Sequence, residues 1–334
     1  MGKKTNNKMN IDVWRFIVSF LIVAIHISPF DKISPQFDFF FTRILGRIAV
    51  PLFLMITGYY ILDKSINDIK RIKEYTKKII KIYLFCIILY IPINIYMGKF
   101  ANISFIQIIK DIFINGTLYH LWYFPALILG IWITYFLIKK LGNKRAFAVT
   151  IILYLIGLFG DSYYGISEMS GIITNVYNDI FNVCDYTRNG LFLVPIFLYL
   201  GYIVKINKES RKYDLYLSIV FFICMTLEGI ILHYFNFQRH DSMYIFLIPV
   251  MFFLFRYLMS KNKSSNKVLR EVATGIYILH PLFIVAVRFI SGVLGLDKIL
   301  VENNLILYVV VSFGTFIFMV FVERAKGLIK NGKH

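Results

Sequence analysis

The chain has 334 residues, 58% of them hydrophobic and only 17% charged, with a mean hydropathy of +0.67. A soluble globule is roughly half apolar and about a quarter charged, so this composition excludes an ordinary soluble domain and indicates an integral membrane protein. Lys and Arg outnumber Asp and Glu by 37 to 19, but the basic residues sit between apolar runs, which points to membrane sidedness and not to nucleic acid.

A spanning helix needs about 20 mainly apolar residues. Runs near that length fall at 13–30, 40–62, 79–98, 118–138, 146–160, 190–204, 214–235, 243–259, 273–292 and 304–323. The expected fold is therefore all-α: a polytopic helical bundle of about ten transmembrane helices, the fifth and sixth short enough to be tilted partners or for one of them to be re-entrant. An even count puts both termini on one side. The basic clusters follow that alternation: Lys3, Lys4 and Lys8; Lys64, Lys70, Arg71, Lys73, Lys77 and Lys78; Lys139, Lys140, Lys144 and Arg145; Lys205, Lys208, Arg211 and Lys212; Arg256, Lys261, Lys263, Lys267 and Arg270; and Arg324, Lys326, Lys330 and Lys333. The positive-inside rule makes these segments and both termini cytoplasmic. Asp161, Glu168, Asp179 and Asp185 mark the longest outer loop. Segment 63–78 is expected to be a cytoplasmic loop with Ile66, Ile69 and Ile72 on the membrane surface. With no internal repeat and no long linker, residues 1–334 are expected to form a single transmembrane domain. Cys86, Cys184 and Cys224 are widely spaced and carry no metal-ligand pattern.

Charged groups within a membrane helix cost about 2.5 to 3.5 kcal/mol each at its centre, so they face protein, water or substrate. In the first helix Asp12, Arg15, Ser19 and His26 are spaced by 3, 4 and 7. At about 100° per residue they share one face at different depths. One reading pairs Asp12 with Arg15 and makes His26 a satisfied core histidine; the other makes His26 a general base, since an imidazole titrates near neutrality. Glu228 in the seventh run and His280 before Pro281 in the ninth are the other polar groups amid apolar neighbours. A carboxylate at that depth is protonated, paired or in contact with substrate, and His280 either caps a helix break or serves the site. Arg239, His240 and Asp241 fall at an outer helix end.

The motifs resemble the acyltransferase family 3 membrane proteins, which move acyl groups from cytoplasmic acyl-CoA to extracytoplasmic acceptors. The family's basic residue, ten positions and a catalytic His are matched by Arg15 and His26, preceded by Asp12. Its Pro-Phe-rich second helix ending in Ser/Thr-Gly is matched by VPLFLMITGYYI, with Arg47 ahead and Thr57-Gly58 at the end. Its Arg-x-x-Arg pair is represented by Lys78 and Lys81, which keep the charge but lose the bidentate fork. Over nearly the whole chain, strings such as NGTLYHLWYFPALI and RHDSMYIFLIPVMFFLF look like the membrane domain of VanT-type serine racemases of vancomycin-resistance operons. The resemblance implies a bacterial cell membrane location. In that family the membrane domain precedes a soluble PLP-dependent racemase. The expectation here is a chain without that racemase and without a PLP site, a fused or separate racemase remaining a possible partner.

Two mechanisms follow from the resemblance. In the enzyme, Arg15, Lys78 and Lys81 hold coenzyme A phosphates, and His26 deprotonates an acceptor hydroxyl. In the carrier, L-serine is recognised through its ammonium by Glu228 and through its carboxylate by Arg47, Arg188 or Arg239, and the imported L-serine supplies a D-serine-forming racemase. His240, Asp241 and His280 complete the candidate substrate contacts.

Overall fold

The computed structural model describes residues 10–101, 103–207, 212–261 and 264–331, which form helices joined by turns and loops, with no strand among them. Lys3, Lys4, Lys8, Lys208, Arg211, Lys263 and Lys333, expected to be cytoplasmic, lie outside the described residues. Ten longer helices are α1 (Ile11–Ile27), α2 (Ala49–Thr57), α3 (Ile69–Tyr96), α4 (Tyr123–Phe159), α5 (Gly171–Val183), α6 (Val194–Ile206), α7 (Asp214–Tyr234), α8 (Leu247–Lys261), α9 (Lys267–Leu294) and α10 (Asn304–Asn331). Six stretches among the described residues are long and apolar enough to cross a membrane: Pro35–Asn67, Ile69–Tyr96, Tyr123–Phe159, Asp214–Tyr234, Lys267–Leu294 and Asn304–Leu328. The molecule is thus a multi-pass membrane protein with six candidate spans among the described residues, which does not by itself reach the expected count of about ten. Part of the difference is Gly142, at φ 73 and ψ 170, which breaks α4. Only glycine adopts that conformation without strain. It falls within the basic cluster where the expected fourth and fifth spans part.

The chain divides into two compact units, residues 1–49 with 256–334, and residues 50–255. In the first, α1, α9 and α10 close around Val23, Ile27, Val272, Ile276, Ile284, Leu307, Val311 and Met319. α1 begins at Asn10, whose side chain accepts the Asp12 N–H, and ends at Ser28 in the left-handed region. Between them and α2 the chain is irregular: a short helix Pro35–Asp38, a π-turn Phe39–Ile44 and a 3₁₀ turn Leu45–Ile48. Buried Asp38 braces this stretch by accepting from the Phe30 N–H and the Thr42 hydroxyl.

In the second unit α6 is the central element, with Val194–Tyr202 buried throughout. Glycines set its crossings. A Cβ on Gly58 would lie 2.0 Å from the Leu198 carbonyl oxygen, and one on Gly201 would lie 2.0 Å from that of Met55. The Thr57-Gly58 signature is therefore a backbone-to-backbone contact, the small-residue packing on which membrane helices depend. Gly190 fits against the Ala126 carbonyl of α4 in the same way. The segment 63–78 departs from expectation: α3 starts at Ile69, and Ile72 packs fully inside, because it shares a helical face with buried Ile79 and Tyr83.

Candidate functional site

The polar stripe of α1 meets α9 at two levels. At the lower level the Asp12 carboxylate, 2% exposed, pairs with Arg15 at 3.3 Å and accepts the Asn266 backbone N–H at 2.8 Å, with Arg270 at 3.8 Å. Asn266 is the N-cap of α9, so one carboxylate ties the starts of both helices. Ser19 is satisfied within its own helix, donating to Phe16 O. At the upper level half-buried His26 stacks on fully buried His280, ring centroids 5.2 Å apart and planes 18° from parallel. The side chain of Asn304 at the start of α10 donates to Ser28 O at this end, while Lys326 near its other end lies 3.9 Å from Glu271. α10 therefore runs antiparallel to α1 and α9.

The orientation of His280 follows from its neighbour. Pro281 has no N–H, so the carbonyl of Tyr277, four residues back, loses its helical donor. The His280 Nδ1 lies 2.9 Å from that oxygen and 3.1 Å from Ile276 O. Only a protonated Nδ1 can serve these carbonyls, which assigns the neutral ring its Nε2 lone pair. The His-Pro pair thus repairs a helix break and fixes a ring against His26. Arg47 is 8% exposed in the 3₁₀ turn. Its neighbour Gly46 sits so close to Ile25 that a Cβ would lie 2.9 Å from Ile25 Cγ1, which sets this turn beside the residue preceding His26.

The other candidates belong to the second unit. Lys78 and Lys81 are exposed on α3, whose other face is held by Trp132 Nε1 donating to Thr76 and by Tyr75 against Thr57. Glu228 is buried and fully engaged: Oε1 accepts from the Tyr163 hydroxyl at 2.8 Å and the Ile245 N–H at 2.6 Å, and Oε2 from the Phe246 N–H at 3.0 Å. It serves the N-terminal end of α8, where a negative charge complements the unpaired N–H groups and helix dipole. Tyr163 answers this: burial, then the Glu228 charge, holds its phenol well above the ordinary value.

Asp161, one of the acids that mark the outer loop in the sequence, is wholly buried and organises the loop before α8. Its Oδ1 accepts from Ser242 N, Met243 N and the Ser162 hydroxyl, and its Oδ2 lies 3.8 Å from His240 Nδ1. His240 in turn meets the Ser242 hydroxyl at 2.7 Å and Asp241 at 3.8 Å. Arg239 donates to Asp185 O and places its guanidinium carbon 3.6 Å from the Phe181 ring centroid; Arg188 covers Tyr186 at 4.5 Å and Trp122 at 5.3 Å. Arg239, His240 and Asp241 do come together, as the lining of a loop built on Asp161. The signal for Asp161 and Tyr163 was their place in GDSYYG, between two apolar runs.

Comparison with known proteins fits the helical architecture. The acyltransferase domain family, acyltransferase 3, matches residues 9–324. An amino-acid racemase of Enterococcus faecalis is 37% identical over 99% of this chain and 47% of its own length. A serine/alanine racemase of Enterococcus gallinarum is 35% identical over 95% of this chain and 46% of its own. The chain spans about half the length of the curated relatives it matches. No solved structure matches. The chain belongs to the acyltransferase 3 family.

Proposed function

We propose that this acyltransferase 3 family member transfers an acyl group from cytoplasmic acyl-CoA to a hydroxyl acceptor, with His26 as general base and His280 as the residue that positions it. The observation that carries the reading is the stacked pair of rings, one half-buried and one wholly buried with its Nδ1–H committed to backbone. A ring nitrogen of His26 takes the acceptor's hydroxyl proton as the oxygen attacks the thioester carbonyl. The C–S bond then breaks, and coenzyme A leaves as a thiol, taking the proton back from the imidazolium. Lys78 and Lys81, exposed on α3, are assigned to the donor's phosphates as point charges rather than forks. Asp12 and Arg15 hold the helix that carries the base. The positive-inside rule applied to the basic clusters supports cytoplasmic termini.

The names of the relatives favour a second reading, in which the chain delivers L-serine to a racemase. It would need a carboxylate for the substrate ammonium, and Glu228 already accepts three hydrogen bonds from its own unit, which is why the acyl-transfer reading stands first. Two measurements on the purified chain separate them. Acyl-CoA binding that weakens in Lys78→Ala/Lys81→Ala, with thiol release on adding a hydroxyl acceptor, supports transfer. Counterflow of labelled L-serine in liposomes with no acyl-CoA binding overturns it.

A further inference from the structure

The longest connection between apolar runs, following the second half of α4, contains the amphipathic helix α5 with three distinct sides. At about 100° per residue, Tyr177, Phe181 and Thr174 share one side, and Tyr177 is buried there, donating its hydroxyl to Ile156 O across to α4. Ile172, Val176 and Val183 share a second side and are 81%, 53% and 58% exposed. Asn175, Asn178, Asp179 and Asn182 form a third, also exposed. A helix in water does not need the second side, and a spanning helix does not tolerate the third. The pattern is that of a helix lying in the membrane interface.

A cavity of about 360 Å³ opens between α5 and the second half of α4, lined by Ile156, Phe159, Ile166, Ile173 and other apolar side chains together with Ser167 and Tyr177. Both hydroxyls are spent on backbone: Ser167 donates to Phe159 O and Tyr177 to Ile156 O. The groove therefore offers an occupant no uncommitted side-chain donor, and its remaining lining is apolar, which suits hydrocarbon. Its rim continues onto Ile152, Leu155 and Ile156, exposed on α4. That surface belongs to a membrane-spanning stretch, so the medium covering it is the bilayer. We propose that α5 is an in-plane interfacial helix and that the groove beneath it holds an acyl chain of a bilayer phospholipid.

The test uses the full chain in nanodiscs of phosphatidylcholine. Nitroxides at Ile172→Cys and Val176→Cys should collide with oxygen in preference to a water-soluble nickel chelate, and those at Asn178→Cys and Asn182→Cys the reverse. Equal access of the chelate to all four positions overturns the interfacial placement. For the groove, Phe159→Trp adds an emission that phosphatidylcholine brominated on its chains should quench relative to the plain lipid; Ile166→Trp at the rim serves if the first variant does not fold. Unchanged emission in brominated lipid overturns the lipid site. The same holds if quenching fails while the chelate is excluded from Ile172, since a protein partner then covers the face.

Discussion

His26 and His280 are 254 positions apart and stacked, and the same separation of 254 holds between Asp12 and Asn266, joined by a hydrogen bond at the other end of the two helices. α1 and α9 are therefore parallel and in constant register over about 21 Å of rise. A clamp at one end fixes the depth at which two imidazoles meet at the other.

If His26 is the base, His26→Ala should lower turnover by a factor of about 10² to 10⁴ with acyl-CoA binding retained. His280→Gln should keep the fold, because an amide can serve the Tyr277 carbonyl, yet shift the acid limb of the pH–rate profile. A fully active and stable His26→Gln protein removes the base role, and an unchanged pH profile in His280→Gln removes the positioning role.

Asp12→Ala strips a buried carboxylate from Arg15 and from the Asn266 N–H. Losing one partner of a buried pair costs about 3–5 kcal/mol, and a large fall in Tm is expected. Asp12→Asn keeps an acceptor for Asn266 and should recover part of the stability with near-normal turnover. A stable Asp12→Asn protein with turnover as low as His26→Ala would instead place Asp12 in the chemistry.

Much of this architecture was legible because it rests on local rules. The apolar runs, the basic break at Gly142 and the His-Pro dipeptide each declare themselves within a few residues. What pairs with what was not legible. Glu228 reads as a lone intramembrane carboxylate, yet its donors come from residues 163, 245 and 246, and backbone N–H groups leave no mark in a sequence. The lysines around Ile72 mark a surface segment in the sequence, whereas the continuous helix turns Ile72 inward beside Ile79. Asp161 looked like one acid among several in an outer loop; its burial depends on where residues 242 and 243 return.

Gly58 and Gly201 should tolerate no side chain. An added methyl group would lie 2.0 Å from a carbonyl oxygen in each case, so Gly58→Ala and Gly201→Ala must separate α2 from α6 and should sharply reduce the yield of folded protein. At Gly171 nothing lies within 4 Å, and Gly171→Ala should be neutral or stabilising by about 0.4–1 kcal/mol through the unfolded chain. Comparable yields for all three variants would contradict the close crossing.

The antiparallel run of α10 makes sidedness testable from described residues. Ser265→Cys and Gly327→Cys should react with a membrane-impermeant maleimide only after the cytoplasmic face is opened, and Asn303→Cys should react in intact cells. Labelling of Ser265→Cys or Gly327→Cys from outside would reverse the orientation drawn from the basic clusters.

Glu228 supplies the last prediction, because its two readings diverge in what is measured. As the acceptor for Tyr163, Ile245 and Phe246, its loss in Glu228→Ala strands three donors at about 1–3 kcal/mol each, so Tm falls. Glu228→Gln, which keeps one oxygen, should fall less, and substrate affinity should follow stability in both. The pH dependence has a definite sign. The Tyr163 phenol is held above its ordinary value by burial first and by the Glu228 charge second. The folded state therefore keeps a proton that the unfolded chain gives up near pH ~10. The stabilisation is fully present below that pH and is lost as pH rises through the raised value, so Tm should drop on the alkaline side. Tyr163→Phe should lower Tm at neutral pH and flatten part of that alkaline drop. If Glu228→Gln instead leaves Tm and its alkaline fall untouched while abolishing L-serine counterflow, the carboxylate belongs to a substrate ammonium and the carrier reading takes precedence.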